Sequence, residues 1–311
     1  MPISLNYKQV ITLIFKTAGL LFLAYYLLFR VDWGLLIQII AKIRISYFVV
    51  AIIAFAVKLM LDAWKWHLIN NMYGIRLPYI TLVKYVIIGP FFSFMTPLPQ
   101  GEDIYNFYML KKESGDAAVS VTIPVLMRLT GLVSLSLLLP FSFAWYMEKI
   151  SSPATMALVL PAIALTGIFF SWLLRGKLLE LSGRTGQFFT AVFAQAGVLK
   201  ELLRTRTGSF VAIIGINLLS QCAYALFIWF LVAAFSIDLS FPPVFLFIPF
   251  VYFGTLLPVS AGGIGIKEGL WVWMLSVCGF NPAVSQALGA VHLLIVLLFV
   301  LVGFLLYLLS D

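Results

Sequence analysis

The chain contains an apolar stretch that cannot continue as a helix. Residues 256–270 read Leu-Leu-Pro-Val-Ser-Ala-Gly-Gly-Ile-Gly-Ile-Lys-Glu-Gly-Leu and so combine a proline, four glycines and the adjacent Lys267 and Glu268. Proline removes a backbone donor and glycine adopts conformations that other residues avoid, so the helix breaks and peptide groups lose their partners. Inside a membrane, a broken backbone is tolerated only where protein or a wet cavity covers it. The stretch is therefore predicted to mark a binding site between two short half-helices.

The rest of the chain consists largely of long apolar runs. Of its 311 residues, 63% are hydrophobic and 10% are charged, whereas about 25% is ordinary for soluble domains. Runs near or above the roughly 20 residues needed to cross a bilayer occur at 10–29, 46–69, 117–146, 154–174, 210–235 and 285–309. Two shorter, proline-bounded runs lie at 79–96 and 243–257. We predict an all-α polytopic membrane protein with about six spanning helices and two broken, re-entrant helical hairpins.

The distribution of basic residues predicts the orientation. If the two short runs enter and leave the membrane on one side, most lysines and arginines fall in loops on the side of the N-terminus. Cytoplasmic loops carry such an excess, so we expect both termini in the cytoplasm. This orientation explains the net charge of +8 without a nucleic-acid partner.

The sequence predicts neither cofactor nor catalytic chemistry. Cys222 and Cys278 lie in apolar runs with no Cys or His at metal-ligand spacing, so we expect small core residues rather than metal ligands. We find no carboxylates paired at metal spacing and no nucleophile beside a base. We therefore expect a protein that is not an enzyme and has no metal site.

The order of the apolar runs indicates two halves. The sequence separation between Gly101 and Gly265 equals that between Arg128 and His292. Each half reads helix, broken segment, long helix, and each is preceded by one further helix. With three crossings in each half, the second begins on the opposite side of the membrane, which predicts an inverted repeat.

These halves form one integral membrane domain, residues 1–311. The first half covers about residues 1–150 and the second about 154–311, joined through a helix and a cytoplasmic loop at 175–207. The middle of this loop, 186–195, either lies on the membrane surface as a helix or is a plain linker.

Charged residues flank both breaks. An isolated charge at the centre of a spanning helix costs about 2.5–3.5 kcal/mol, so these groups must be partnered or hydrated. Arg128 and His292 lie inside the long helices that follow, and each is expected to face the broken segment of its own half. The candidate substrate-binding residues are Gly101, Glu102, Asp103, Arg128, Gly262, Gly263, Gly265, Lys267, Glu268 and His292.

Two interpretations of these residues follow. In the functional one they line a polar cavity at the membrane midplane that receives a lipid headgroup, and helix N-termini after Gly101 and Gly265 bind its phosphate. In the structural one Arg128 only neutralises Asp103 to hold the fold.

A second polar constellation lies on the run 46–69. Lys58, Asp62 and Lys65 are spaced so that all three share one helix face. They form either an ion pair internal to the helix or a secondary path for lipid headgroups.

Residues 258–269, Pro-Val-Ser-Ala-Gly-Gly-Ile-Gly-Ile-Lys-Glu-Gly, resemble the signature of the lysylphosphatidylglycerol synthase transmembrane region, a flippase-like family. The break from Pro97 to Asp103, followed by Arg-Leu-Thr-Gly-Leu at 128–132, is similar to the first-half pattern of that family. The chain departs from the family where Arg or Glu is common, at Asn106, Met127 and His292. The resemblance thus implies a cavity less charged than is usual in the family.

The resemblance implies a lipid flippase of a bacterial cytoplasmic (inner) membrane. It implies a stand-alone member without the synthase domain that serves a separate lipid-synthesising enzyme. The implied substrate is a phospholipid, an aminoacylated phospholipid, a glycolipid or a hopanoid. Glu102, Asp103, Glu268 and His292 are candidates for proton coupling. Two alternatives stay open: a membrane-embedded transferase acting on a lipid-linked substrate, with Glu102 or Asp103 as general base, and an accessory membrane subunit of a lipid-modifying enzyme.

Overall fold

The computed structural model describes residues 43–95, 101–147, 204–255, 266–280 and 282–309. Within these ranges the chain forms eight α-helices and no strand. The helices are α1 (Ile45–Met72), α2 (Tyr79–Met95), α3 (Gly101–Ser114), α4 (Ala117–Met147), α5 (Thr207–Ala234), α6 (Phe241–Thr255), α7 (Ile266–Val277) and α8 (Pro282–Leu309). The all-helical class predicted from the sequence is confirmed for these ranges.

The long helices coincide with four of the predicted crossings. Segments Ile45–Met72, Ala117–Tyr146, Thr207–Ala234 and Leu288–Leu309 are long and apolar enough to cross a membrane. The predicted crossings at 10–29 and 154–174, like the segment 186–195, lie outside the described residues. The helix order long, short, short, long occurs twice along the described chain.

The short helices α2 and α6 end where the sequence predicts a break. A proline alone does not end these helices, since Pro90 and Pro249 lie inside them. Pro97 and Pro258 follow the helix ends by a few residues, and each is followed in the sequence by glycine. Their partners begin at Gly101 and Ile266. The connecting residues, 96–100 and 256–265, are outside the described part of the chain, and with them the predicted site residues Gly262, Gly263 and Gly265.

Helix α8 contacts one short helix from each half. A Cβ atom added at Gly289 would lie 2.9 Å from Cγ2 of Val272 on α7. A Cβ atom added at Gly303 would overlap the carbonyl oxygen of Ile87 on α2. Glycine at these two positions therefore allows α8 to approach both neighbours closely.

The buried side chains form separate clusters in the two halves. In the first, Trp66, Leu82 and Ile123 belong to one cluster built mainly by α1 to α4. In the second, Phe247 and Trp271 belong to a cluster built mainly by α5 to α8. Helices α1 and α5 pack along each other and join the two halves.

Candidate functional site

The first broken segment presents a salt bridge between neighbouring helices. Nη2 of Arg128 on α4 lies 2.5 Å from Oδ2 of Asp103 in the first turn of α3. Both side chains are half-exposed, at 41% for Arg128 and 29% for Asp103. Arg128 thus faces the broken segment of its own half, and its guanidinium has further donors beyond the one that binds Asp103.

The neighbouring Glu102 occupies a place made by a glycine. Its backbone N–H lies in the first turn of α3, where the helix provides no acceptor, and donates to Oγ of Ser93 over 3.0 Å. A Cβ atom added at Gly89 on α2 would lie 2.6 Å from Cγ of Glu102. Gly101, which begins α3, is buried. Glu102 therefore lies against the backbone of α2 at Gly89.

The second broken segment presents a buried pair in the corresponding place. Nδ1 of His292 on α8 lies 3.1 Å from Oε1 of Glu268 in the first turn of α7. The side chain of His292 is 1% exposed and that of Glu268 is 10% exposed. Gly289, one turn before His292, permits this approach because α8 has no side chain there to push α7 away.

This pair belongs to a longer chain of hydrogen bonds. Nε1 of Trp271 donates to Oη of Tyr224 over 3.4 Å, and that Oη lies 3.4 Å from Nε2 of His292. An indole N–H can only donate, so Oη of Tyr224 accepts from Trp271 and can donate its own hydrogen to His292. A neutral imidazole with its hydrogen on Nδ1 would complete the chain, with Nδ1 donating to Glu268 and Nε2 accepting from Tyr224. All four side chains are buried.

The constellation on α1 is bound to α5. Nζ of Lys58 lies 2.6 Å from Oδ2 of Asp62, and Oδ1 of Asp62 accepts a bond of 2.7 Å from Oγ of Ser220. Nζ of Lys65 donates to Oδ1 of Asn217 over 2.9 Å. The predicted ion pair is present, and its partners on α5 extend it into a contact between helices.

The two predicted constellations lie within electrostatic range of each other. Lys58 on α1 interacts with Glu102 on α3 and with Lys267 on α7, and Glu102 and Lys267 also interact. Tyr252 on α6 contributes to the same field. We call the set Lys58, Asp62, Lys65, Glu102 and Lys267 the charged cluster.

The polar face of α5 was not among the site residues predicted from the sequence. Asn217, Ser220, Gln221 and Tyr224 recur at helical spacing and all are buried. Their spacing in an otherwise apolar helix could have indicated a polar face. Their proximity to Lys58 and Lys65 could not be predicted, because it depends on how α1 packs against α5.

A surface cavity of about 520 Å³ lies elsewhere, at the connection between α1 and α2. It is lined by His67, Asn71, Arg76, Leu77 and Pro78. The predicted midplane cavity would have residues 96–100 and 256–265 among its walls, and these lie outside the described chain. That cavity stays a prediction.

The described residues include no group of three or more His, Cys, Asp and Glu side chains that could hold a metal ion. Cys222 and Cys278 are both half-buried. The charged cluster and the residues around it offer carboxylates, ammonium groups and amides for binding a ligand.

Comparison with known protein families gives one match. The family model described as the lysylphosphatidylglycerol synthase TM region matches residues 10–307. No curated protein matches the chain. The matched range includes both broken segments and every candidate site residue.

Proposed function

Because the chain belongs to the lysylphosphatidylglycerol synthase transmembrane-region family, we propose that it is a lipid flippase, which moves lipids with polar headgroups between the leaflets. The family is a membrane domain of synthase-type proteins and gives the chain a lipid-related membrane function. Translocation is the step that we add to this function.

The observation that carries the proposal is the charged cluster. Lys58, Glu102 and Lys267 come from three different helices and interact with one another among apolar spans. Charges inside a membrane are expensive, and they typically mark a substrate or ion pathway. A lipid whose headgroup is polar and whose acyl chains are apolar needs such a pathway only for its headgroup.

In the proposed mechanism the headgroup passes the broken segments while the acyl chains stay in the bilayer. The first turns of α3, from Gly101, and of α7, from Ile266, supply N–H donors and partial positive charge for a phosphate. Lys267 and Arg128 supply full charges. Asp103 neutralises Arg128 until a phosphate takes the place of Asp103. Arg128 thus first stabilises the fold and then binds the substrate.

The repeated order of helices supports alternating access as part of the proposal. Two halves of opposite orientation would rock about the site and expose it to each leaflet in turn. Of the four candidates for proton coupling, Glu102 and Asp103 are proposed to couple this motion to protons, whereas the buried Glu268 and His292 hold α7 against α8. We further propose that the chain lies in a bacterial cytoplasmic membrane with both termini inside, and that a lipid-synthesising enzyme supplies the lipid.

Reconstitution tests the proposal. Purified protein in liposomes that contain lipids with a fluorophore on one acyl chain should increase the fraction accessible to dithionite over time, relative to protein-free liposomes. Lys267→Met should slow this transfer about 10-fold, because the cluster loses a cation that contacts the headgroup in the proposed mechanism.

Lys84→Met is the matched control, since Lys84 is exposed on α2 and the same substitution removes one charge there. It should leave the rate within about twofold. Equal rates in protein-containing and empty liposomes, for phospholipids and glycolipids alike, would contradict the proposal. A covalently altered lipid in the same samples, found by mass spectrometry, would instead support a transferase.

A further inference from the structure

The face of α5 that contacts the charged cluster contains a buried polar atom that has no partner in the described ranges of the chain. Asn217 is 4% exposed, and its Oδ1 accepts the bond from Lys65. A lysine ammonium can only donate, so this bond fixes which amide atom is the oxygen. The amide nitrogen of Asn217 is then a buried donor beside Lys65, and it has no hydrogen-bond acceptor among the residues that the structure describes.

A second such atom lies one helical turn further along. Gln221 is 7% exposed, and within the described part of the chain its Oε1 has no hydrogen-bond donor. Asn217 and Gln221 are four residues apart and therefore on one face of α5, between Lys65 at one end and Tyr224 at the other. Ser220 on the same face does have a partner, Asp62.

Buried polar atoms without partners are rare in folded proteins, because each loses its bonds to water and gains none in return. Apolar residues of similar volume would fit α5 at lower cost. Two such atoms beside one cluster, a donor from Asn217 and an acceptor from Gln221, match a ligand group that both donates and accepts. A hydroxyl is such a group.

We propose that Asn217 and Gln221 recognise the headgroup of the transported lipid and select phosphate lipids that carry headgroup hydroxyls. Lys65, whose ammonium donates to the neutral amide of Asn217, attracts the phosphate, and the two amides bind a hydroxyl beyond it. A cationic headgroup is disfavoured there, because Asp62 is already paired with Lys58 and Ser220. This inference rests on the proposed function and names its substrate class.

Equilibrium binding to the purified full chain tests the selectivity. The probes are phosphatidylglycerol, phosphatidylethanol and phosphatidylethanolamine with identical fluorescent acyl chains. Phosphatidylethanol has the charge of phosphatidylglycerol without its hydroxyls, so the comparison isolates hydroxyl recognition. We expect phosphatidylglycerol to bind about 3- to 10-fold more tightly than phosphatidylethanol, the effect of a net hydrogen bond, and phosphatidylethanolamine to bind most weakly.

Gln221→Met and Asn217→Leu, which keep side-chain volume, should each bring the ratio of the two anionic lipids close to one. Asn70→Leu is the matched control, because Asn70 is also buried with an unpartnered Oδ1 but lies near the end of α1. It should preserve the ratio. Should Asn217→Leu fail to fold, Gln221→Met alone decides.

Equal affinities of the unmodified protein for phosphatidylglycerol and phosphatidylethanol would overturn the inference and leave the proposed function intact. So would an unchanged ratio in Gln221→Met. Binding of no lipid at all would overturn the proposed function, and the inference with it.

Discussion

The two halves of the molecule hold an acid and a base at corresponding places but in different surroundings. Asp103 and Arg128 are half-exposed, so a ligand can compete for the partners of their salt bridge. Glu268 and His292 are buried and continue into Tyr224 and Trp271. The comparison teaches that a shared helix order does not impose a shared role: the first pair is suited to exchange partners, the second to hold α7 against α8.

The largest expected effect is on stability in the second half. Glu268→Ala leaves the imidazole N–H of His292 buried without an acceptor and opens a void, so the free energy of unfolding should fall by about 3 kcal/mol. Asp103→Ala in the first half should lower it by about 1 kcal/mol or less. Denaturant unfolding in detergent measures both. Equal losses of unfolding free energy in the two variants would contradict the conclusion that only the second pair holds its helices together.

The next effect concerns transport in the first half. Arg128→Gln should slow lipid translocation in liposomes about 10-fold, because the exposed cation is lost, with a small change in unfolding free energy. His292→Gln, the same replacement in the other half, should show the reverse pattern, with the larger cost in stability. A larger loss of transport in His292→Gln than in Arg128→Gln would contradict the roles that we assign to the two pairs.

A smaller effect should follow from the close contact that brings the second pair together. Gly289→Ala places a methyl group 2.9 Å from Cγ2 of Val272, which should cost about 1 kcal/mol of unfolding free energy. Val272→Ala should restore most of this loss in the double variant, since it removes the opposing methyl groups. Absence of rescue would mean that the close approach does not position His292.

The smallest effect tests the outer end of the network. Tyr224→Phe keeps the ring and removes the hydroxyl that links Trp271 to His292, so the free energy of unfolding should fall by about 1 kcal/mol. In a Glu268→Ala background the same change should cost less, because the network is already interrupted. A double-mutant cycle measures this coupling. Strict additivity would contradict a continuous network.

Much of the order of helices and breaks can be predicted from the sequence. Prolines and glycines predict where α2 and α6 end, because their effect on the backbone is local. Helical spacing predicts that Lys58 and Asp62 share a face, and the second half repeats the helix order of the first. These inferences need only neighbours within a segment.

What the sequence does not reveal depends on contacts between segments. Nothing local indicates that α1 packs along α5, so the approach of Asn217 to Lys65 could not be predicted. Gly89 gives no sign that it makes room for Glu102, because a glycine inside an apolar helix has several possible reasons. Uncharged polar residues such as Gln221 also produce a weaker signal than lysine or aspartate.

The contact between Gly303 and the backbone of α2 has a consequence for motion. Side chains that interlock must change rotamer before two helices slide, whereas a glycine against a backbone carbonyl leaves no side chain to interlock there. Around His292 the same helix is fixed to α7 by a buried pair. Shear between the halves would therefore take place at the end of α8 near Gly303, while its other end travels with α7.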